Sequence, residues 1–364
     1  MIKQTVVFSA GEHGVERMRI PGLATSSRGT LLAFCEARDG GDRTPTDLVL
    51  KRSEDGGVTW GPLQLVTKAR AMDAVMNPCP VVDSKTGTIH CFANMFPEGD
   101  FELHRQPGKV RTIVTRSDDD GLSWSPPEDL TDAIIDASLD YGKATGPGAG
   151  IQTRGGRLVI PLGMGPEESC QGTVIYSDDQ GGSWHMAGRT RATSTELQVV
   201  ELSDGRLRLD MRNQNPEEKP GHCRYCSISG DGGLTWTEPV IDPGLPDVRC
   251  QASILRYPLE VDGVNPILFA NPYSGYNDRV NMTVRLSYDD GSTWPVSRTV
   301  YPGPSAYCCL VTLPDGRIGL LYECGEEGPY ERIGFACFDL GWLLGDGERP
   351  GGGSRASSGK KELE

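Results

Sequence analysis

Five stretches of the chain share one pattern: SEDGGVTW at 53–60, SDDDGLSW at 117–124, SDDQGGSW at 177–184, SGDGGLTW at 229–236 and SYDDGSTW at 287–294. Each is S-x-D-x-G-x-[ST]-W, and successive copies begin 64, 60, 52 and 58 residues apart, so the chain is built on an internal repeat. The run before each copy is rich in β-branched and aliphatic residues, as in DLVLKR at 47–52 and NMTVRL at 281–286, which places the pattern where a strand ends. Its chemistry is that of a hairpin turn. Asp and Gly accept the backbone conformations of a tight turn, Ser and Thr hydroxyls satisfy its amides, and Trp covers the sheet beneath. Five of the six tryptophans are therefore expected to be structural. Short strands recur between the copies, among them GTLLAF at 29–34, GRLVI at 156–160 and GRIGLL at 316–321, and no long helical period competes with them. A repeat near this length with several short strands is the size of one β-propeller blade, and the chain has room for about six. The expectation is an all-β fold, a six-bladed β-propeller of four-stranded antiparallel blades over 1–344, with 345–364 as a loose tail that includes GGGS at 351–354.

Composition narrows the partners. The 364 residues carry 36 Lys and Arg against 50 Asp and Glu, a net charge of −14, with 37% hydrophobic and 24% charged residues, as in a globular protein. With a pI near 4.9 and no basic run longer than GKK at 359–361, the chain is not expected to bind nucleic acid or an anionic membrane surface. No stretch reaches the ~18 apolar residues of a membrane span, and the first twenty lack the apolar core of an export signal. Eleven cysteines, scattered from Cys35 to Cys337, suit reduced thiols in a cytoplasm better than a disulfide framework. The C-x-x-C within HCRYC at 222–226 has no second ligand pair at zinc spacing, and GPGAG at 146–150 has neither the following helix nor the Lys-Ser/Thr of a phosphate loop. No metal and no cofactor is expected. Cys308 and Cys309 are expected to be packed thiols.

The five repeats resemble the Asp-boxes of sialidases (neuraminidases), and Arg19-Ile20-Pro21 resembles the Arg-Ile-Pro signature that opens that family's catalytic domain. The resemblance covers about residues 15 to 340 and implies an exo-α-sialidase acting on terminal sialic acids of glycans. The family grips the sugar carboxylate with three arginines, matched here by Arg19, by Arg212 in LDMR at 209–212 and by Arg279 in DRVNMTVR at 278–285. Planar guanidinium groups pair a carboxylate in a bidentate fork, which suits an anionic substrate on an acidic protein. Positions so far apart in sequence are expected to converge by lying on inner strands near the axis.

The same resemblance makes Glu196 the base and Tyr307 the nucleophile. A tyrosine nucleophile is the known exception to the two-carboxylate scheme of glycosidases, and its reason is electrostatic. The anomeric carbon of a sialic acid bears its own carboxylate, and a second anion at ~4 Å would cost roughly 1 to 4 kcal/mol. A phenol with an ordinary pKa near ~10 needs a base within hydrogen-bond reach. Asp42, on the loop EARDGGDRTPTD at 36–47, matches the family's acid, with Asp39 and Asp47 as competitors. Partial burial against the substrate is expected to raise its pKa. Glu323 resembles the glutamate that orients the first arginine, and Arg38 an extra arginine beside the acid loop. Asn77 stands where some relatives place an aspartate that reads the sugar's amide and hydroxyl, and MFPEG at 95–99 echoes the wall of the N-acyl pocket. Two other readings stay open: a hydrolase of a deaminated or eight-carbon keto sugar acid, and a propeller that binds sialosides without turning them over.

Overall fold

The computed structural model describes residues 1–42, 44–69, 73–96, 109–134, 143–165, 170–191, 194–213, 222–274 and 278–345. The tail beyond residue 345 and residues 97–99 of the expected N-acyl wall lie outside the described residues. The fold is all-β. Consecutive strands pair antiparallel in meanders that follow the repeat: β2 (Arg17–Thr25), β3 (Leu31–Arg38), β4 (Thr46–Ser53) and β5 (Gln64–Thr67), then β6 (Ala74–Val82), β7 (Ile89–Phe96), β8 (Arg111–Ser117) and β9 (Glu128–Asp129). β10 (Lys143–Thr145) and β11 (Ile151–Gln152) both pair with β12 (Leu158–Met164), which continues to β13 (Gln171–Ser177) and β14 (His185–Met186). The fourth meander is β15 (Ser194–Glu201), β16 (Leu207–Asn213), β17 (Cys223–Ser229) and β18 (Val240–Pro246), and the fifth β19 (Ser253–Arg256), β20 (Ile267–Pro272), β21 (Val280–Ser287) and the first half of β22 (Val296–Thr312). The second half of β22 pairs with β23 (Ile318–Cys324), which pairs with β24 (Arg332–Phe338), and β1 (Ile2–Ser9) lies against β24, so the first and last of the described strands share one sheet.

The five boxes follow the third strand of their meanders, where the sequence placed them, and repeat one hydrogen-bond scheme. At 117–124 the Ser117 hydroxyl donates to Asp119 Oδ1 (2.8 Å) and accepts from Gly121 N (2.8 Å), while Asp119 Oδ1 also accepts from Ser123 N (2.8 Å). The other four copies reproduce these bonds between 2.7 and 2.9 Å. The tryptophans do more than cover their own sheet. Trp124 meets Phe34 edge-on with ring centroids 5.5 Å apart, Trp184 meets Phe92 at 4.6 Å, and Trp236 Nε1 donates to Gly188 O at 3.0 Å, each reaching back to the preceding meander. Trp60, in the first, meets Phe335 of the last at 5.4 Å. The box glycine is required there, because a Cβ on Gly57 (φ +86°) would lie 2.1 Å from the Phe335 ring.

The innermost segments of all the meanders meet. Gly148 N donates to Pro78 O (3.0 Å) and Leu23 N to Gly148 O (3.3 Å). Gln198 Nε2 donates to Pro147 O (3.0 Å), and Gln251 Nε2 to both Pro147 O and Cys308 O (2.9 Å each). The glycines of GPGAG serve this close approach, since a Cβ on Gly146 would lie 1.8 Å from Leu197 O. None of the eleven cysteines forms a disulfide, and Cys308 and Cys309 are buried, their thiols turned to Ala270 O and Leu23 O.

His90 is buried edge-on to Trp184. Burial, reinforced by the Arg116 guanidinium, holds its pKa down to about 4. The unfolded chain takes up a proton below about pH 6.5 that the native imidazole refuses until about pH 4, so stability falls as pH falls through this window, by on the order of 3 kcal/mol in all. Thermal melts between pH 7 and 4.5 should show a smaller acid loss for His90→Gln than for wild type. Parallel losses would assign the effect to other groups.

Candidate active site

Four of the inner strands share one irregularity. Register slips between Arg19 and Gly22 in β2, between Met76 and Cys79 in β6, between Thr195 and Gln198 in β15, and between Ser305 and Cys308 in β22. Ile20, Asn77 and Glu196 have φ of +55°, +61° and +47° at these bulges. A bulge re-aims side chains that a regular pleat would send into a neighbouring sheet. Here it turns Arg19, Glu196 and Tyr307 toward a common centre.

At that centre the Tyr307 hydroxyl donates to Glu196 Oε1, and Glu196 Oε2 accepts from Arg212 Nη1 at 2.6 Å. Burial first, and the Glu196 carboxylate second, push the Tyr307 phenol well above its ordinary pKa. The hydroxyl therefore stays protonated unless Glu196 takes the proton. The Arg19 and Arg279 Cζ atoms each lie 5.7 Å from the Tyr307 ring centroid. All three expected arginines thus gather round one phenol, although only Arg19 lies on an inner strand. Arg212 sits near the end of β16 and Arg279 just before β21, so both reach inward over the sheet ends. The expectation of three inner-strand arginines is corrected, because a long guanidinium side chain bridges that distance from a second strand or a hairpin.

Glu323 is fully buried and accepts from Arg19 Nε (2.7 Å), Ile20 N (2.8 Å) and Tyr307 N (3.3 Å). Burial opposes the Arg19 charge, but Glu323 outweighs it and raises the guanidinium pKa, so Arg19 remains a cation. Arg38, also buried, donates from Nε to Glu36 Oε2 (2.6 Å) and pairs through Nη1 with Asp42. Asp42 lies 3.8 Å from Arg19 Nη1 with 74% of its side chain exposed. Partial burial raises its pKa, yet Arg38 and Arg19 outweigh that and hold the carboxyl below its ordinary value. The shift is set by the two guanidinium groups that face the carboxyl, whereas the rise expected from the sequence was for burial against substrate. Asn77 presents its backbone N–H to Glu36 Oε1 (2.7 Å) and its carbonyl to the Thr145 hydroxyl (2.6 Å).

Two members of the site escaped the sequence. Tyr330 lies under the Arg19 guanidinium, with Cζ 3.7 Å from the ring centroid, and its hydroxyl accepts from Arg279 Nη1 at 2.7 Å, so one aromatic ring holds two like charges side by side. Glu36 ties the acid loop to the Asn77 bulge. Tyr330 belongs to no repeat and Glu36 only follows the apolar run Leu31–Cys35, so neither carries a local signal.

The cluster combines a phenol, the carboxylate that accepts its hydrogen bond, an exposed carboxyl and three arginines, which suits displacement at a carbon bearing a carboxylate. The family of BNR repeat-like domains matches residues 29–320. The chain is 34% identical over 355 residues to a sialidase of Micromonospora viridifaciens, covering 92% of this chain and 53% of that protein. It is 30% identical over 373 residues to an exo-alpha-sialidase of Aspergillus fumigatus, covering 91% and 86%. Among solved structures it is similar to the Hadza microbial sialidase Hz136, with a TM-score of 0.84 at 30% identity over 93% of this chain and 69% of that one. The chain spans about half the length of the Micromonospora relative.

Proposed function

The chain belongs to the sialidase family of BNR-repeat proteins, and from that premise we propose that it is an exo-α-sialidase that releases terminal sialic acids from glycoconjugates with retention of configuration. The observation that carries the reading is the Tyr307–Glu196–Arg212 hydrogen-bond chain facing Arg19 and Arg279. The six meanders are read as the blades of one β-propeller over 1–344, closed by β1 against β24 and by Trp60 against Phe335.

In the proposed reaction Arg19, Arg212 and Arg279 hold the sugar carboxylate. The Tyr307 oxygen attacks the anomeric carbon as Glu196 takes the phenol proton, and Asp42 gives its proton to the departing glycosidic oxygen. The aglycone leaves and a sialyl-tyrosine remains. Asp42, now ionised, takes a proton from water, whose oxygen attacks the same carbon, and Tyr307 departs and recovers its proton from Glu196. Two inversions give net retention. The depressed Asp42 pKa fits this cycle once substrate is present: a carboxylate on Arg19 and Arg279 cancels part of the field that ionises Asp42, and the glycan excludes water, so both changes drive protonation.

Fluorogenic release from a 4-methylumbelliferyl α-sialoside tests the activity, with deaminated and eight-carbon analogues alongside because the arginines read only the shared carboxylate. Turnover of the sialoside is expected. Turnover of an analogue alone would move the substrate class, and silence on all with binding retained would make the chain a sialoside-binding propeller. Asp42→Ala separates the acid role. It should slow hydrolysis of sialyllactose by roughly 10²–10⁴-fold, while the activated 4-methylumbelliferyl leaving group, which needs little protonation, loses far less. Equal losses on both substrates would remove Asp42 from that role.

A further inference from the structure

Two of the three arginines meet over a single carboxylate that touches neither of them. Asp247, buried in the segment between β18 and β19, accepts from Asn213 N through Oδ2 and from Arg249 N through Oδ1, each at 2.7 Å. Asn213 is the residue after Arg212. Arg249 sits at φ +54°, an unfavourable conformation for a side chain with a Cβ, and its carbonyl accepts from the Arg279 guanidinium. The carboxylate therefore fixes the backbone beside Arg212 with one oxygen and, through Arg249, the acceptor of Arg279 with the other. Its charge is met by Arg224 Nη1, 3.4 Å from Oδ2, and Arg224 is itself buried, paired with Asp210 and bonded to Cys250 O at 3.0 Å. No repeat or signature marks Asp247, and no step of the proposed reaction uses it.

We infer that Asp247 is a positioning residue that sets Arg212 and Arg279 at the spacing of one substrate carboxylate. The inference rests on the sialidase reading of the site. An aspartate is suited to it because both oxygens are needed as acceptors at once: an asparagine offers one oxygen and turns an N–H₂ toward the other backbone donor. Losing either bond frees Arg249 to leave its strained conformation or β16 to shift at its end. The arginines keep their charge and lose their mutual geometry, on which a bidentate grip depends.

The test is calorimetric binding of 2,3-didehydro-2-deoxy-N-acetylneuraminic acid and of its methyl ester to wild type, Asp247→Asn and Asp247→Ala. The ester keeps the ring and removes the charge, and the ratio of the two affinities does not depend on the fraction of protein that is folded. Wild type should strongly prefer the acid. The preference should fall by about tenfold in Asp247→Ala, with ester affinity changed by less than about threefold, and by a smaller factor in Asp247→Asn, which retains one acceptor. If the alanine variant fails to fold, the asparagine variant carries the same comparison. An unchanged acid-to-ester ratio in a folded variant, beside a strong wild-type preference, overturns the role of Asp247 alone. No preference in wild type overturns the sialidase reading with it.

Discussion

Tyr307→Phe is expected to lower kcat for sialoside hydrolysis by three orders of magnitude or more, on the order of what removing a covalent nucleophile costs, while leaving the fold and the grip on the sugar carboxylate in place. The substitution removes one oxygen from a buried ring. That oxygen's partner is Glu196, which keeps its 2.6 Å bond to Arg212, so the stability change should stay within about 1–2 kcal/mol. Arg19 and Arg279 still flank the ring, and the affinity for the didehydro carboxylate analogue should change by less than about tenfold. A loss in kcat without a matching loss in binding is the signature of an interaction made in the transition state. Rapid-quench mass spectrometry of wild type with a substrate whose second step is slow should find the sugar mass on the peptide containing Tyr307. Retention of wild-type turnover by the phenylalanine variant would sink the covalent mechanism, with Glu196 then the next nucleophile to test.

What the sequence disclosed follows from how local each signal is. The Asp-box is eight residues whose bonds are nearly all internal, so its turn, its strand-end position and its glycine could be read directly. Arg19, Glu196, Arg212, Arg279, Tyr307 and Glu323 were legible as a set through family resemblance, and the fold brings all six together. Tyr330, Glu36 and Asp247 were not legible, because each acts through a contact between segments far apart in sequence: Tyr330 with Arg19 and Arg279, Glu36 with the Asn77 bulge, Asp247 with residues after Arg212 and before Cys250. The bulges were hidden for a related reason. A register slip is set by packing around the axis, and only the prolines after Ile20 and Asn77 hint at it. The direction of the Asp42 shift in the protein alone was not legible, because the field at its carboxyl depends on where Arg19 and Arg38 point, which periodicity does not reveal.

Glu323→Ala should damage both properties that Tyr307→Phe separates. One buried carboxylate holds the Arg19 guanidinium, the N–H of Ile20 and the N–H of Tyr307. Removing it leaves a buried guanidinium with the Tyr330 ring at 3.7 Å and the exposed Asp42 carboxyl at 3.8 Å. A cation–π contact returns about 0.5–2 kcal/mol, less than the 3–5 kcal/mol that breaking a buried ion pair typically costs. Ile20 aggravates the loss. A β-branched residue at φ +55° is strained by roughly 1–3 kcal/mol, and once its N–H has no acceptor the bulge has less reason to persist. As the bulge relaxes, Arg19 and the backbone of Tyr307 shift together, so KM should rise and kcat fall in the same variant. Urea denaturation should give a stability lower by about 3–5 kcal/mol, and kinetics on the fluorogenic sialoside should show both parameters impaired. Glu323→Gln keeps the shape and an acceptor for one backbone N–H but not the charge, and it should fall between wild type and alanine in both measurements. A Glu323→Ala protein less than about 1 kcal/mol below wild type would mean that Arg19 is adequately held by Tyr330 and Asp42, and that the pair serves orientation without supporting the fold.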